Sequence, residues 1–259
     1  MNAIAVFDSG LGGLTVLRAL RGRLPGEDFF YFADTRYLPY GDRPESFLRE
    51  RGVAIGAALA RQGAKALVIA CNTATAAAAE AIRASIHLPV VALEPGVKPA
   101  VGLSREGRIG VLATTRTLAS PRFQRLVAEH AQGAKIYSQA CPGLAEAIEL
   151  QGPDSPEVDH LLRRFVMPLG DSGVDVVVLG CTHYPWVVER IATYLPSGTQ
   201  IVDTGEAVAR QLERRLQAAG LSGGGHGRLR LATSGAPMQV APAVHRLWAE
   251  ALAVEHWEP

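Results

Sequence analysis

Lys65-Ala-Leu-Val-Ile-Ala-Cys71-Asn72-Thr73-Ala-Thr75 decides how this chain is read, because a second stretch repeats its plan. Asp175-Val-Val-Val-Leu-Gly-Cys181-Thr182-His183-Tyr-Pro185 again places an apolar run, a small residue, a cysteine and then polar groups in that order. Both runs are short, contain β-branched residues and are bounded by polar ones. That is the pattern of a parallel-sheet strand covered on both faces. A residue just past the carboxyl end of such a strand stands where open α/β sheets bind their ligands. Two cysteines in matching places point to two thiols serving one site.

Strand and helix signals alternate outward from these stretches over the whole chain. Ile4–Phe7, Asp28–Ala33, the first cysteine run and Pro89–Leu93 read as strands of a first round. Arg108–Leu112, Ile136–Gln139, the second cysteine run and Thr199–Val202 read as a second. Ile4 and Ile109 lie 105 positions apart, and Cys71 and Cys181 lie 110 apart. This even spacing predicts an α/β protein of two similar doubly wound parallel-sheet lobes with the active site between them. The expected first lobe is residues 1–96 plus 208–259, and the second 97–207. Ser222-Gly-Gly-Gly-His226-Gly reads as a flexible surface loop.

Composition excludes several classes. The 259 residues are 48% apolar and 20% charged with a net charge of +1, as in an ordinary soluble globular protein. The 26 basic and 25 acidic residues form no basic stripe, so a nucleic-acid partner is not expected. No run approaches the roughly 18 apolar residues of a membrane span, and none resembles a signal segment. Three cysteines (71, 141 and 181), none in a CxxC pair, suit reduced thiols in the cytoplasm and no metal site.

Gly10-x-Gly12-Gly13 opens a helix, but a dinucleotide fingerprint would need its third glycine at Thr15. The turn serves better as a set of backbone N–H groups for a carboxylate. Asn72-Thr73 and Thr182-His183, each read at a helix start, repeat that device. A helix N-terminus also lowers a thiol's pKa, and the thiolate is the reactive form. Taken singly, Cys71 or Cys181 could be an inert buried residue; as a matched pair they read as functional. Cys141, before Pro142, reads as structural. Asp8 ends a strand at the ligand edge, either capping the next helix or serving as charge partner for a thiol. Asp34 and His183 have similar double readings, and Glu149 on a helix could equally be solvated.

Together these residues resemble glutamate racemase over essentially the whole chain. The resemblance rests on Asp8-Ser9-Gly10-x-Gly12-Gly13-Leu14-Thr15, on Ala33-Asp34-Thr35-Arg36-x-x-Pro39-Tyr40-Gly41, and on both cysteine segments. Leu93-Glu94-Pro95-Gly96-Val97-Lys98-Pro99-Ala100 and Cys141-Pro142 followed by Glu149 add to it. It implies cofactor-independent interconversion of L- and D-glutamate, supplying D-glutamate for peptidoglycan, by a cytoplasmic homodimer. It further implies Cys71 acting on the D-enantiomer with Asp8, and Cys181 on the L-enantiomer with His183 and Glu149. Asp34 is a further helper. Asp8, Ser9, Tyr40, Gly41, Asn72, Thr73, Thr182 and His183 would bind substrate. Thr114 and Thr117 match the family's threonine-bearing turn except that Arg116 stands where a glycine is common.

Three other readings compete. An aspartate-specific relative would share the two cysteines, but such relatives tend to carry Glu at the position of His183 and to lack Pro39-Tyr40-Gly41. A non-catalytic amino-acid binder has no use for two positioned thiols. Pyridoxal-phosphate chemistry needs a lysine poised in a pocket, whereas Lys65 starts a strand and Lys98 and Lys135 lie at segment edges.

Overall fold

Two parallel sheets organise the chain. The computed structural model describes residues 2–248, 250 and 252–259. It divides into a unit running up to Leu93 and resuming at Gly205, and a unit Glu94–Thr204.

The first unit runs β1 (Ile4–Asp8), α1 (Leu14–Arg23), β2 (Phe29–Ala33), α2 (Glu45–Arg61), β3 (Ala66–Ile69), α3 (Asn72–Ser85) and β4 (Val90–Ala92). The second contains α4 (Val97–Leu103), β5 (Arg108–Ala113), α5 (Thr115–Ala119), α6 (Pro121–His130), β6 (Lys135–Ala140), α7 (Leu144–Gln151), α8 (Pro156–Asp171), β7 (Val176–Gly180), α9 (Val188–Thr193) and β8 (Gln200–Val202). The chain then adds α10 (Gly205–Ala218), β9 (Leu229–Thr233), α11 (Pro237–Leu247) and β10 (Val254–His256) to the first unit.

In the first unit the strand order is β10-β9-β2-β1-β3-β4, with every pairing parallel. Apart from Asp8 and the Tyr31 hydroxyl, β1, β2 and β3 are apolar, as suits strands covered on both faces, and every one of their residues is buried. Each fully buried Phe or Leu here contributes about 1.5–3 kcal/mol of transfer free energy. Register then decides what reaches the carboxyl edge. Asp8 pairs with Ala33 and Phe7 with Ile69, so Asp8, Asp34 and Cys71 all emerge at that edge. The Ala-rich α3 packs closely on α2: a Cβ on Gly52 would lie 2.7 Å from Cβ of Ala78.

In the second unit the order is β6-β5-β7-β8, again all parallel. β7 is buried throughout, whereas edge strand β6 has no fully buried residue. Gly180 stands where β7 presses on β5, since a Cβ there would lie 2.8 Å from Cβ of Ala113. α8 starts with Pro156 after Ser155, whose hydroxyl accepts the Val158 N–H at 3.3 Å.

Several features depart from the sequence expectation. α4 follows directly on Glu94-Pro95-Gly96, and β10 is a three-residue edge strand too short and too exposed to show a hydrophobic signature. The glycine-rich loop 222–227 is pinned rather than flexible. Lys65, itself buried, pairs with Glu27 and donates to the carbonyls of Leu221 (3.0 Å) and Gly223 (2.7 Å). Glu27 in turn accepts the Gly223 N–H at 2.6 Å, and Asp28 accepts those of His226 and Arg228. Glycine is required here for approach: a Cβ on Gly225 would sit 2.4 Å from the Asp28 nitrogen. Among the described residues, no helix is long and apolar enough to cross a membrane.

Candidate functional site

Asp8 ends β1 and turns the chain into α1. Its Oδ1 accepts the Ser9 N–H at 2.7 Å, its Oδ2 accepts the Gly13 N–H, and the Tyr31 hydroxyl lies 3.2 Å from Oδ2. The Tyr31 hydroxyl is also 2.8 Å from the Gly10 carbonyl, so it braces the turn from the neighbouring strand. Gly13 leaves room for the carboxylate, because a Cβ there would lie 2.9 Å from Oδ2. The sequence suggested a capping or a charge-partner role for Asp8. The geometry makes it the organiser of a turn whose N–H groups converge on a carboxylate.

Cys71 is the N-cap of α3, and its Sγ accepts the Ala74 N–H at 3.4 Å. The Ser9 hydroxyl stands 3.4 Å from that sulfur and 3.4 Å from Asp8 Oδ1, which links thiol and carboxylate through one hydroxyl. A sulfur at a helix N-terminus gains from the partial positive charge of the first N–H groups. Asn72 and Thr73 are buried beside it, and Asn72 Oδ1 has no hydrogen-bond partner among the described residues. A buried acceptor left open in this way suits an incoming donor.

Asp34 follows β2 and is fully buried. Arg51 grips it with Nε to Oδ2 at 3.0 Å and Nη2 to Oδ1 at 2.7 Å, and the Tyr40 hydroxyl donates to Oδ2 at 2.5 Å. Both oxygens are thus engaged by a guanidinium and a phenol, not by a thiol. The expectation of Asp34 as a thiol's helper gives way to that of an anchor for the loop bearing Tyr40 and Gly41. Burial, then the Asp34 charge, pushes the Tyr40 phenol far above its ordinary range, so it stays a donor.

The second unit builds a different environment around its thiol. Cys181 follows β7, and a single 3-10 turn (Tyr184–Val187) intervenes before α9 begins at Val188. The anticipated α-helix start at Thr182-His183 is therefore absent. Instead, His183 Nδ1 stands 3.7 Å from Cys181 Sγ, and His183 Nε2 stands 2.7 Å from Glu149 Oε2 on α7. Burial pushes the His183 pKa down. Its hydrogen bonds to Cys181 and Glu149 outweigh that, leaving it well above the usual imidazole value. Thr182 is buried between the thiol and the histidine in the chain.

Cys141, at the end of β6, is buried with its thiol donating toward the Gln139 carbonyl at 3.5 Å. Burial pushes its pKa up to about 12, so it remains protonated. Thr114 caps α5, accepting the Thr117 N–H at 3.2 Å and donating to the Thr117 hydroxyl at 2.9 Å. Among the described residues no group of three or more His, Cys, Asp and Glu side chains is arranged to hold a metal ion.

The sequence reading missed two residues, and each had a detectable signal. Arg51 lies three after Leu48 and four before Ile55, so it interrupts the buried stripe of α2. Tyr31 sits in the otherwise apolar Phe29–Ala33, where a buried hydroxyl must find a partner.

Comparison with known proteins adds an independent line. The Asp/Glu/Hydantoin racemase family matches residues 37–212. A glutamate racemase from Pseudomonas aeruginosa is 48% identical over 248 residues, covering 95% of this chain and 94% of that protein. The crystal structure of glutamate racemase isoform RacE1 from Bacillus anthracis superposes with a TM-score of 0.90 at 31% identity, covering 99% and 97% of the two chains. That of Escherichia coli glutamate racemase, in complex with L-glutamate and the activator UDP-MurNAc-ala, gives 0.87 at 30% identity, covering 98% and 97%.

Proposed function

The chain is an isomerase belonging to the Asp/Glu/hydantoin racemase family, and from that premise we propose that it racemises glutamate with two thiols and no cofactor. One observation carries this reading: each of two buried cysteines at a strand's carboxyl end has its own activating partner. Cys71 has the α3 N-terminus and the Ser9–Asp8 link; Cys181 has His183 backed by Glu149.

Inverting one stereocentre needs a base on one face of the α-carbon and an acid on the other. The thiolate takes the α-proton, the C–H bond electrons pass into the substrate carboxylate, and the other thiol protonates the opposite face. Each turnover thus leaves the protonation states of the two sulfurs exchanged. Cys71 acts on D-glutamate and Cys181 on L-glutamate. An unassisted thiol with a pKa near 8.5 is only about 3% ionised at neutral pH, so each sulfur needs its partner. Donors at Thr73 and Thr182 stabilise carboxylate charge as it develops. The open acceptor of Asn72 suits the substrate's ammonium group. The D-glutamate formed feeds peptidoglycan synthesis in the cytoplasm, and the active species is a homodimer.

Exchange of the α-hydrogen in deuterium oxide tests the reading, run on each enantiomer of glutamate and of aspartate. Glutamate should exchange and invert, aspartate should do neither, and Cys71→Ser or Cys181→Ser should abolish inversion. Substantial inversion by either single variant would remove the two-thiol mechanism. Faster exchange of aspartate than of glutamate would reassign the substrate.

A further inference from the structure

We infer that Arg51 is a positioning residue for the reaction, holding Tyr40 and the loop 34–42 beside Cys71 through its bidentate grip on Asp34. The kinetic consequence rests on the racemase reading, but the geometry does not.

The loop is otherwise tied mainly at its first turn, where the Thr35 hydroxyl lies 2.6 Å from that of Thr233, Ser234 accepts the Arg36 N–H at 3.2 Å and Arg43 donates to the Tyr37 carbonyl at 3.1 Å. It carries two 3-10 turns, Thr35–Tyr37 and Tyr40–Asp42, with no side-chain cap on either. At its base the Asp34 N–H donates to the Asp8 carbonyl at 2.9 Å, tying the loop to the turn that organises the first thiol's surroundings. Asp34 itself is wholly buried, and a buried carboxylate without a charge partner is strongly disfavoured. Arg51 supplies that partner from the buried stripe of α2, with its side chain only 12% exposed.

The guanidinium does two further things. It lies 4.6 Å from the Tyr37 ring centroid, covering one turn of the loop. It also holds the Asp34 carboxyl in place through both oxygens, so that Oδ2 meets the Tyr40 hydroxyl as an acceptor. Tyr40 and Cys71 belong to one packed apolar cluster, so displacement of the phenol is felt at the sulfur. Because its single proton is given to Asp34, the Tyr40 oxygen presents only lone pairs to any other group. A ligand group meeting it must be a donor. Lysine could supply the charge but neither the planar fork nor the ring stacking.

The test uses the full-length enzyme with Arg51→Met, Arg51→Lys and the double variant Arg51→Met/Asp34→Asn. Two readouts are taken: KM and kcat for both enantiomers, and the alkylation rates of Cys71 and Cys181 by peptide mass spectrometry without substrate. Arg51→Met should raise KM about tenfold or more with kcat changed by less than about threefold, as expected for loss of a charge-assisted hydrogen bond that orders a binding loop. Cys71 should alkylate several-fold faster and Cys181 at the parent rate. Arg51→Lys should lie between parent and Arg51→Met. Adding Asp34→Asn should recover part of the loss, because an amide still accepts from Tyr40 without burying a bare charge. If Arg51→Met does not fold, Arg51→Lys and the double variant decide the matter by the same readouts. KM and Cys71 labelling within about twofold of parent in Arg51→Met, or in Arg51→Lys where that variant decides, would overturn the inference. A parent enzyme that does not racemise glutamate would instead defeat the functional reading. The labelling comparison would still judge Arg51.

Discussion

His183 Nε2 lies 2.7 Å from Glu149 Oε2, with both side chains buried, and this contact makes the two thiol environments chemically unlike. Cys71 relies on a helix terminus, a fixed dipole that does not titrate. Cys181 stands beside an imidazole whose pKa is raised, against burial, by its bonds to that thiol and to Glu149. The two cysteines that look equivalent in sequence are thus served by different physics.

Glu149→Gln should lower glutamate racemisation by about 10²–10⁴-fold, the usual span for a lost acid–base partner. Because the two enantiomers are equal in free energy, kcat/KM must fall equally in both directions. The asymmetry should surface in isotope exchange, with deuterium entry through the Cys181 face slowed most. Steady-state kinetics in both directions alongside α-hydrogen exchange checks this; equal slowing of exchange on both faces would contradict it.

The same pair has a signature in stability. The folded-state pKa of His183 is raised, so its contribution is fully present below the unfolded value of about 6.5 and is lost as pH rises through the folded value. Denaturant unfolding of parent and Glu149→Gln should therefore differ most at about pH 5.5–6.5 and converge as the solution becomes alkaline. A gap that widened with pH would show the opposite linkage.

Cys141 should prove dispensable for chemistry. Its thiol is pushed up to about 12 and remains protonated. Cys141→Ala should leave racemisation within about twofold of parent and cost about 1–2 kcal/mol for the lost sulfur contacts. Thermal unfolding and an activity assay separate the two effects.

Breaking the buried Lys65–Glu27 pair should hurt the fold rather than the chemistry. Lys65→Met leaves Glu27 buried without its cation and should cost about 3–5 kcal/mol, whereas Lys65→Met/Glu27→Leu should recover a large part of that. Urea titration of both variants measures it. Limited proteolysis within 221–227 should accelerate in the single variant, because Lys65 and Glu27 hold that loop.

Gly13→Ala should lower kcat/KM by about tenfold or more, since the new Cβ meets Asp8 Oδ2 and Ala70 Cβ at 2.9 Å. Gly22→Ala, in the last turn of α1 with nothing near its new Cβ, should instead raise stability by about 0.5–1 kcal/mol. Kinetics and thermal melts of both variants distinguish local crowding from loss of glycine as such.

Sequence alone determined the α/β class, the parallel sheets and the chemical identity of the candidate residues. Period, turn residues and strand-end placement are local properties, and Ile4–Asp8, Ala66–Ile69 and Val176–Gly180 carry them in a few residues each. The partners of those residues came only from the tertiary structure. Asp34 was visible as a loop carboxylate, but that Arg51 neutralises it depends on α2 and β2 packing into one core. Glu149 and His183 are 34 positions apart, and no local pattern says that α7 will bring one to the other. The glycine-rich loop read as loose because its anchors, Lys65, Glu27 and Asp28, lie about 150–200 residues away in the chain. Burial makes the Asp34–Arg51, Glu149–His183 and Glu27–Lys65 pairings obligatory, since a charge removed from water must find its counterpart. Which counterpart it finds is set by the packing of elements remote in sequence.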